Sequence, residues 1–322
     1  MIQLENVSKQ YNNTKAVDDI SLEVKEGETV VLLGTSGCGK TTTLRMINRL
    51  EEPTSGHIIV NRQNIQEQRA EKMRRGIGYV LQHHGLFPHY TVAENIAIVP
   101  KLLKWNKDKI NSRTEELLEK LQLPETFANV YPAQLSGGQQ QRVGLARALA
   151  AYPPVLLMDE PLGALDPVTR ADIRREFGTL DELKRKTILM VTHDVREAFE
   201  LGDRICLMDN GKIVQIGKAT DLLFSPANHF VRSFLKEQQF QLELESVLIK
   251  DIWQFLPKAI NGTDEKVFSP ENNLWQVLET ISVAAQTGSK RFVSILNNDK
   301  KQIDITSLMA AFTQYKNSLT YE

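Results

Sequence analysis

This chain has few cysteines, no long apolar run and almost no net charge, and each of these absences excludes a class of protein. Two cysteines in 322 residues give no basis for a disulfide framework. No apolar run approaches the roughly 18 residues of a membrane-spanning helix, and residues 1–5 lack the features of a signal peptide. A net charge of −1 offers little attraction to nucleic acid. The sequence therefore predicts a cytosolic chain, and any membrane part must come from a partner.

One feature that is present is a glycine-rich loop between a predicted strand and a predicted helix. The loop runs from Gly34 to Thr41 and fits the pattern G-x-x-x-x-G-K-[ST]. Glycines allow successive backbone N–H groups to point at phosphate oxygens, and the following helix adds the positive end of its dipole. Lys40 is expected to bridge the β- and γ-phosphates, and Thr41 to place its hydroxyl on Mg²⁺. A chance glycine-rich turn, the alternative, fits poorly between a strand and a helix.

A second feature is a pair of acids at the end of a short apolar run. Residues 155–158 are all apolar, and Asp159 and Glu160 follow them. Ligands of α/β proteins bind at the carboxyl ends of strands, so we expect both carboxylates to face a ligand. Asp159 is predicted to hold Mg²⁺ through water, and Glu160 to be the base that polarises the attacking water. An isolated Asp-Glu pair is usually a pair of surface charges, but its place downstream of the phosphate loop favours a functional role.

Between these features lies the sequence LSGGQ, residues 135–139. Ser136 and the N–H groups of Gly137 and Gly138 stand at a predicted helix start, which predicts a second anion site. A second phosphate site is redundant within one chain. Together, however, the three motifs resemble the ATP-binding cassette (ABC) ATPases over about residues 1–235. In that family two cassettes pack head to tail, and the signature of one covers the γ-phosphate held by the other. The resemblance therefore implies a dimer that ATP closes and hydrolysis opens.

The resemblance also implies roles for isolated residues. Gln82 matches the glutamine that senses Mg²⁺ and the membrane partner, and His193 matches the switch histidine that contacts the γ-phosphate. Asp166 lies in the D-loop, which crosses the dimer interface. Tyr11 is placed to stack on adenine, although simple packing is an alternative for an exposed tyrosine.

Three sets of site residues are implied. The catalytic set is Glu160, His193 and Gln82. The nucleotide-binding set is Tyr11, Gly34, Thr35, Ser36, Gly37, Cys38, Gly39, Lys40, Thr41, Thr42, Ser136, Gly137, Gly138, Gln139 and Asp166. The set that holds Mg²⁺ is Thr41, Gln82 and Asp159.

The predicted fold class is α/β. Apolar strands at 155–158 and 187–192 flank a predicted helix over 168–185, a pattern typical of a parallel sheet covered on both faces. The resemblance implies an ABC-type P-loop NTPase domain over residues 1–235, with a RecA-like core, an antiparallel β subdomain and a helical subdomain. Residues 236–246 are predicted to form a linker helix, and residues 247–322 a small α+β domain.

The catalytic motifs stop before the last part of the chain. A helix is predicted over 273–285, a strand over 291–296, a turn over 297–300, a second strand at 303–305 and a helix from Ser307. Helix, strand, turn, strand and helix in this order resemble one cystathionine-β-synthase (CBS) motif. A small dimerisation or packing appendage is the alternative.

The finer resemblance concerns the transported solute. Residues 34–37, 46–50, 77–82, 85–89 and 163–170 are similar to the ATPases of importers for quaternary-amine osmoprotectants. This implies an ATPase that drives import of glycine betaine, choline, carnitine or similar solutes from the cytoplasmic face of the cell membrane. The implied partners are transmembrane permease subunits, a second cassette in a homodimer and, indirectly, a periplasmic or extracellular solute-binding protein. No nucleic-acid partner is expected.

Other functions remain open at this point. Polar amino-acid import is the alternative substrate class. Non-transport ABC ATPases that act on ribosomes or DNA carry two cassettes or a long coiled coil, whereas this chain has one cassette and no heptad run. A regulatory binding module would not need an intact catalytic set. His83, His84 and His89 lack a neighbouring acidic or cysteine ligand, which disfavours a metal site. Their segment and residues 91–96 instead resemble the surface of the family that receives a coupling helix from the transmembrane subunit.

Overall fold

The computed structural model describes residues 1–82, 85–259, 265–285 and 291–319, so His83 and His84 lie outside the described residues. The chain divides into two compact units, residues 1–216 and 217–322. The strands of the first unit are β1 (Ile2–Tyr11), β2 (Thr14–Val24), β3 (Thr29–Gly34), β4 (Ser55–Val60), β5 (Gln63–Asn64), β6 (Ile77–Val80), β7 (Val155–Asp159), β8 (Thr187–Thr192), β9 (Arg204–Asp209) and β10 (Lys212–Gly217). Its helices are α1 (Lys40–Ile47), α2 (Ala70–Arg74), α3 (Val92–Ile96), α4 (Ile98–Leu102), α5 (Lys107–Lys120), α6 (Gly137–Leu149), α7 (Pro167–Thr179) and α8 (Val195–Leu201).

A six-stranded sheet in the order β10-β9-β3-β8-β7-β6 positions the functional residues. The five strands from β9 to β6 are parallel to their neighbours, and every residue of β7 and β8 is buried. Strands buried on both faces need continuous apolar runs, which explains their composition. The parallel sheet expected from the sequence is confirmed. Its carboxyl-terminal edge carries the phosphate loop after β3, the acids at the end of β7 and the histidine after β8.

A smaller antiparallel sheet, β2-β1-β4-β5, packs on the core of the first unit. Its buried apolar side chains, among them Ile2, Leu4, Val17 and Ile58, join one cluster with Leu44 of the helix that follows the phosphate loop. This sheet corresponds to the expected antiparallel β subdomain. It supports the helix that presents the phosphate loop.

The bounds of two helices differ from those expected. The helix after the phosphate loop begins at Lys40 rather than at 42, because Gly39 has a φ of 102° and turns the chain directly into it. The helix expected over 168–185 spans Pro167–Thr179. Asp166 caps its start, and Gly178 and Thr179, which have low helix propensity, lie at its end.

The second unit has its own elements and core. Its elements are α9 (Ala219–Phe224), α10 (His229–Leu235), α11 (Gln239–Ser246), a 3₁₀ helix (Ile249–Phe255), β11 (Glu265–Phe268), α12 (Leu274–Ala285), β12 (Arg291–Leu296), β13 (Asp299–Ile303) and α13 (Ile305–Leu319). In the three-stranded sheet β11 is parallel to β12, and β12 is antiparallel to β13. Apolar side chains of α12 and α13, including Val277 and Phe312, pack with Phe292 of the sheet. The linker helix expected over 236–246 is observed at residues 239–246.

The hairpin of this unit corrects the strand expected at 303–305. Asn297 and Asn298 have φ values of 49° and 62°, so they form a two-residue turn that asparagine tolerates well. Asp299 therefore pairs with Leu296, and the second strand starts at once and ends at Ile303. The last helix accordingly begins at Ile305, two residues before the expected Ser307. The order helix, strand, turn, strand, helix is as expected, and strand β11 was not predicted.

One buried amide fixes the segment between β6 and α3. Asn95 has no exposed surface, and its Nδ2 lies within 3.1 Å of the carbonyl oxygens of Phe87, Tyr90 and Thr91. Its Oδ1 accepts a 2.8 Å hydrogen bond from the N–H of Phe87. The exposed aromatic rings of Phe87 and Tyr90 are thereby held at the surface.

We expect Asn95→Ala to lower the free energy of unfolding by about 2–4 kcal/mol, because it leaves buried backbone groups without partners. Urea unfolding monitored by circular dichroism measures this loss. Asn111→Ala is the matched control, since Asn111 is exposed and its replacement should change stability by less than about 0.5 kcal/mol. Equal stability of the two variants would contradict the role assigned to Asn95.

Candidate active site

The phosphate loop depends on glycine where the backbone passes other backbone closely. A Cβ atom at Gly34 would lie 2.2 Å from the carbonyl oxygen of Met208, and one at Gly39 would lie 2.3 Å from that of Ala16. Real Cβ atoms do not approach backbone so closely, so only glycine fits these two positions. Of the glycines predicted to form a phosphate cradle, Gly34 and Gly39 are therefore required by its local packing.

The side chain of Lys40 curls over this loop. It is 5% exposed, and its Nζ donates hydrogen bonds of 2.9 and 2.8 Å to the carbonyl oxygens of Gly34 and Thr35. The Sγ of Cys38 lies 3.7 Å from the same Nζ. Burial raises the pKa of the Cys38 thiol, and the nearby ammonium only partly opposes this shift. The lysine is thus held inside the concavity where phosphate oxygens are expected.

Asp159 and Thr41 meet at the edge of the sheet. The Thr41 hydroxyl donates a 2.9 Å hydrogen bond to Oδ1 of Asp159, which is 6% exposed. Desolvation raises the pKa of this carboxyl, and the hydrogen bond from Thr41 opposes the shift. A hydroxyl and a buried carboxylate are hard oxygen donors of the kind that Mg²⁺ prefers. The donor set therefore fits the metal implied by the sequence.

Glu160 is held in an uncommon backbone conformation beside two other predicted catalytic residues. Its φ is 44°, in the left-handed region, and its N–H donates to the carbonyl of Val191 at 2.9 Å. Its Oε2 accepts a 2.8 Å hydrogen bond from Nε2 of Gln82 and lies 3.2 Å from Nδ1 of His193. The structure thus brings Gln82 and His193 to one carboxylate oxygen of Glu160, so the three residues of the catalytic set meet. Such backbone strain, typically about 1–3 kcal/mol, is often found at functional sites.

Tyr11 lies at the end of β1 and is 42% exposed. Burial and a hydrogen bond with Glu51 raise the pKa of its phenol, and a hydrogen bond with Thr42 lowers it. The ring is therefore next to α1, the helix that follows the phosphate loop, and the Nζ of Lys9 lies 4.8 Å from the ring centroid. This placement is compatible with the predicted stacking on adenine.

The signature sequence forms the start of α6. Ser136 caps the helix: its Oγ accepts a hydrogen bond from the Gln139 N–H at 3.3 Å, and Oε1 of Gln139 accepts one from the Ser136 N–H at 2.8 Å. A Cβ atom at Gly138 would lie 2.7 Å from the Thr169 side chain, so glycine permits close packing of α6 on α7. Ser136 and Gly137 remain exposed. The predicted second anion site thus faces outward.

Asp166 of the D-loop is also exposed and acts as a helix cap. Its Oδ1 accepts hydrogen bonds of 3.1 Å from the N–H groups of Val168 and Thr169. Hydrogen bonds with Thr169 are the largest of the effects that lower its pKa. The carboxylate orients the loop that leads from Glu160 into α7.

Sequence reasoning missed a buried acid close to His193 in the chain. Glu197 is 2% exposed, and its Oε2 accepts a hydrogen bond from the hydroxyl of Thr192. Desolvation raises its pKa to about 7. The spacing Asp194-x-x-Glu197 is a capping-box pattern, which predicts a glutamate that reaches back to the helix start. Instead the side chain of Glu197 points into the interior, and this orientation depends on tertiary packing.

Comparison with known proteins agrees with this geometry. A family model described as "ABC transporter" matches residues 17–163. The glycine betaine/carnitine/choline transport ATP-binding protein OpuCA of Bacillus subtilis is 51% identical over 264 residues, which cover 81% of this chain and 70% of that protein. The osmoprotectant import ATP-binding protein OsmV of Salmonella typhimurium is 49% identical over 309 residues, 94% of this chain and 78% of that protein. The chain belongs to the ATP-binding proteins of ABC transporters.

A solved structure extends the comparison to assembly. The dimeric post-hydrolysis state of an ATP-binding cassette bound to ADP and Pi has 38% sequence identity and a TM-score of 0.61. The match covers 68% of this chain and 98% of that chain. The predicted fold class, the family and the ATPase activity of this ABC protein are confirmed. Among the described residues, no helix of this ABC ATPase is long and apolar enough to cross a membrane.

Glu197 predicts a pH dependence of stability. Its pKa rises from 4.5 to about 7 on folding, so the folded state binds this proton more tightly than the unfolded chain does. The resulting stabilisation is complete below about pH 4.5 and is lost as the pH rises through about 7. Relative to Glu197→Gln, the free energy of unfolding of the wild type should fall by up to about 3 kcal/mol over this range.

Urea unfolding of both proteins at several pH values measures this difference. Glu119→Gln on α5 is the control, since Glu119 is exposed and its replacement should leave the pH dependence unchanged. Parallel pH profiles for wild type and Glu197→Gln would show that Glu197 has an ordinary pKa.

Proposed function

We propose that this ABC ATPase energises the import of quaternary-amine osmoprotectants such as glycine betaine, choline or carnitine. The observation that carries the proposal is that relatives of about half identity, OpuCA and OsmV, are named for these solutes or for osmoprotectant import. The motif resemblances over residues 77–82, 85–89 and 163–170 support the same solute class. Recognition of the solute itself belongs to other subunits, a periplasmic or extracellular binding protein and the permease.

The proposed mechanism assigns binding to the loop and catalysis to the neighbouring strand ends. Lys40 and the loop N–H groups bind the β- and γ-phosphates of ATP. Thr41, Asp159 and Gln82 provide oxygen atoms for Mg²⁺, which when bound supplies charge stabilisation for the transferred phosphoryl group. Glu160 polarises the attacking water, and His193 acts at the γ-phosphate.

The proposed assembly is a homodimer of cassettes attached to permease subunits at the cytoplasmic face of the membrane. The dimeric structure of a cassette bound to ADP and Pi supports pairing of two copies. The outward-facing start of α6, with Ser136 and Gly137 exposed, suits contact with the phosphates bound by a second copy. The exposed Phe87 and Tyr90, held by Asn95, suit contact with a permease.

The second unit is proposed to have a regulatory role. Its helix, strand, turn, strand and helix over residues 274–319 support the resemblance to one CBS motif. By analogy with CBS motifs, the unit is proposed to respond to ionic strength and to adjust transport to osmotic conditions. Uptake is therefore expected to differ between low and high osmolarity.

Glu160→Gln should retain ATP binding and dimer closure but lose turnover by roughly 10²–10⁴-fold, because an amide cannot accept the proton of the attacking water. Steady-state hydrolysis and ATP-dependent dimerisation by size-exclusion chromatography measure the two effects. Glu26→Gln, which changes an exposed acid in a turn, should behave as wild type. Rapid hydrolysis by Glu160→Gln would remove this residue from the role of base.

Uptake by whole cells tests the solute. Cells that lack this gene but keep the permease and binding protein should take up labelled glycine betaine, choline or carnitine when complemented with wild type and not with Glu160→Gln. Uptake should increase at high osmolarity if the second unit is a sensor. Absence of uptake of all three solutes, despite expression, would contradict the proposed substrate class and leave the ATPase assignment unchanged.

A further inference from the structure

Arg170 lies in the first turn of α7 and contacts two segments of the site at once. Its Nη2 donates a 3.0 Å hydrogen bond to the carbonyl of Leu165 and lies 3.5 Å from the carbonyl oxygen of Gly163. Its Nη1 lies 3.6 Å from Oδ2 of Asp194, which directly follows His193. One guanidinium therefore joins the turn after β7 to the loop after β8.

The first of these segments is continuous with the predicted base. The N–H of Gly163 donates a 3.0 Å hydrogen bond to the carbonyl of Glu160, which closes a tight turn. Arg170 contacts the carbonyl groups of Gly163 and Leu165 in and directly after the same turn. The guanidinium therefore restrains the backbone that holds Glu160 in its left-handed conformation.

The second segment carries the switch histidine. Oδ1 of Asp194 caps α8 through the N–H groups of Arg196 and Glu197, at 2.9 and 3.2 Å. The N–H of Asp194 donates a 3.0 Å hydrogen bond to the hydroxyl of Thr192, which in turn donates to the buried carboxylate of Glu197. His193 is thus flanked by two residues with fixed side chains, and Arg170 binds one of them.

The charges around the guanidinium make Asp194 its ionic partner. Arg174, one turn further along α7, pairs with Glu200 instead. Among the described residues the buried Nε of Arg170 has no hydrogen-bond partner, so its contacts are those of the two terminal nitrogens. A planar fork can reach the carbonyls and the carboxylate together, whereas a lysine ammonium provides a single point charge.

We propose that Arg170 is a positioning residue for ATP hydrolysis. It holds the carboxylate of Glu160 and the imidazole of His193 in their observed relative positions. The two side chains meet at 3.2 Å, and they directly follow different strands, β7 and β8. Arg170 fixes the segment next to each of them through its contacts with Leu165 and Asp194. The proposal rests on the catalytic roles assigned to Glu160 and His193 under the proposed function.

The test compares full-length Arg170→Met with wild type for ATP affinity and for steady-state hydrolysis. Arg170→Met should lower kcat by about 10- to 100-fold, because small displacements of catalytic groups have effects of this size. The Kd for ATP in the presence of Mg²⁺ should change by less than about twofold, since the phosphate loop is untouched. Arg170→Lys should recover only part of kcat.

A double-mutant cycle separates positioning from general structural support. In a His193→Ala background, Arg170→Met should cause little further loss, because its effect acts through the Glu160–His193 contact. The control is Arg174→Met, which breaks an ion pair on the same helix and should keep wild-type kcat. Should Arg170→Met fail to fold, Arg170→Lys and Asp194→Asn provide the same comparison, since asparagine still caps α8.

The outcomes distinguish a failure of the positioning role from a failure of the proposed function. Wild-type kcat for Arg170→Met, with Glu160→Gln inactive, would overturn the positioning role and leave the proposed function intact. Equal losses in the wild-type and His193→Ala backgrounds would also overturn it, since they indicate a structural role only. Wild-type hydrolysis by Glu160→Gln would instead overturn the proposed catalytic roles on which the inference rests.

Discussion

The parallel register of three buried strands is the constraint on which the site depends. Leu33 of β3 pairs with Thr192 of β8, and Asp159 of β7 pairs with Val191 of β8. The phosphate loop, the acidic pair and the histidine therefore leave the sheet at the same level, on one edge. Side chains alternate between faces of a sheet, so a slip of one residue would move each of these groups to the opposite face. The continuous apolar burial of β7 and β8 stabilises this register against slippage.

Much of the fold and of the site could be predicted because the signals are local. The phosphate loop, the acids after an apolar strand and the LSGGQ helix start are short patterns in which backbone chemistry dictates residue type. The resemblance to the ABC ATPases singled out Gln82 and His193, and both follow strands of the parallel sheet as expected. The structure adds that these two residues meet at Glu160, a contact between segments far apart in sequence.

The missed features are those in which tertiary packing outweighs a local pattern. Glu197 has the spacing of a capping box, but its side chain turns inward to Thr192. Arg170 contacts both the turn that precedes its own helix and the loop after β8, and only the first contact is local in sequence. In the second unit, the Asn297-Asn298 turn shifts the second strand by several residues relative to the expected one. The short strand β11 lacks a strong alternating pattern, with two exposed residues in its four.

The packing of Cys38 under the phosphate loop has a consequence for redox chemistry. A Cβ atom at Gly34 would lie 2.8 Å from the Cys38 sulfur, which is 3% exposed, so the sulfur fills the space directly beneath the loop. Oxidation to a sulfenic acid requires a thiolate and room for one more oxygen atom. The raised pKa disfavours the thiolate, and burial limits the access of an oxidant to the sulfur. We therefore expect the loop to carry a sulfur atom next to Lys40 with low sensitivity to peroxide.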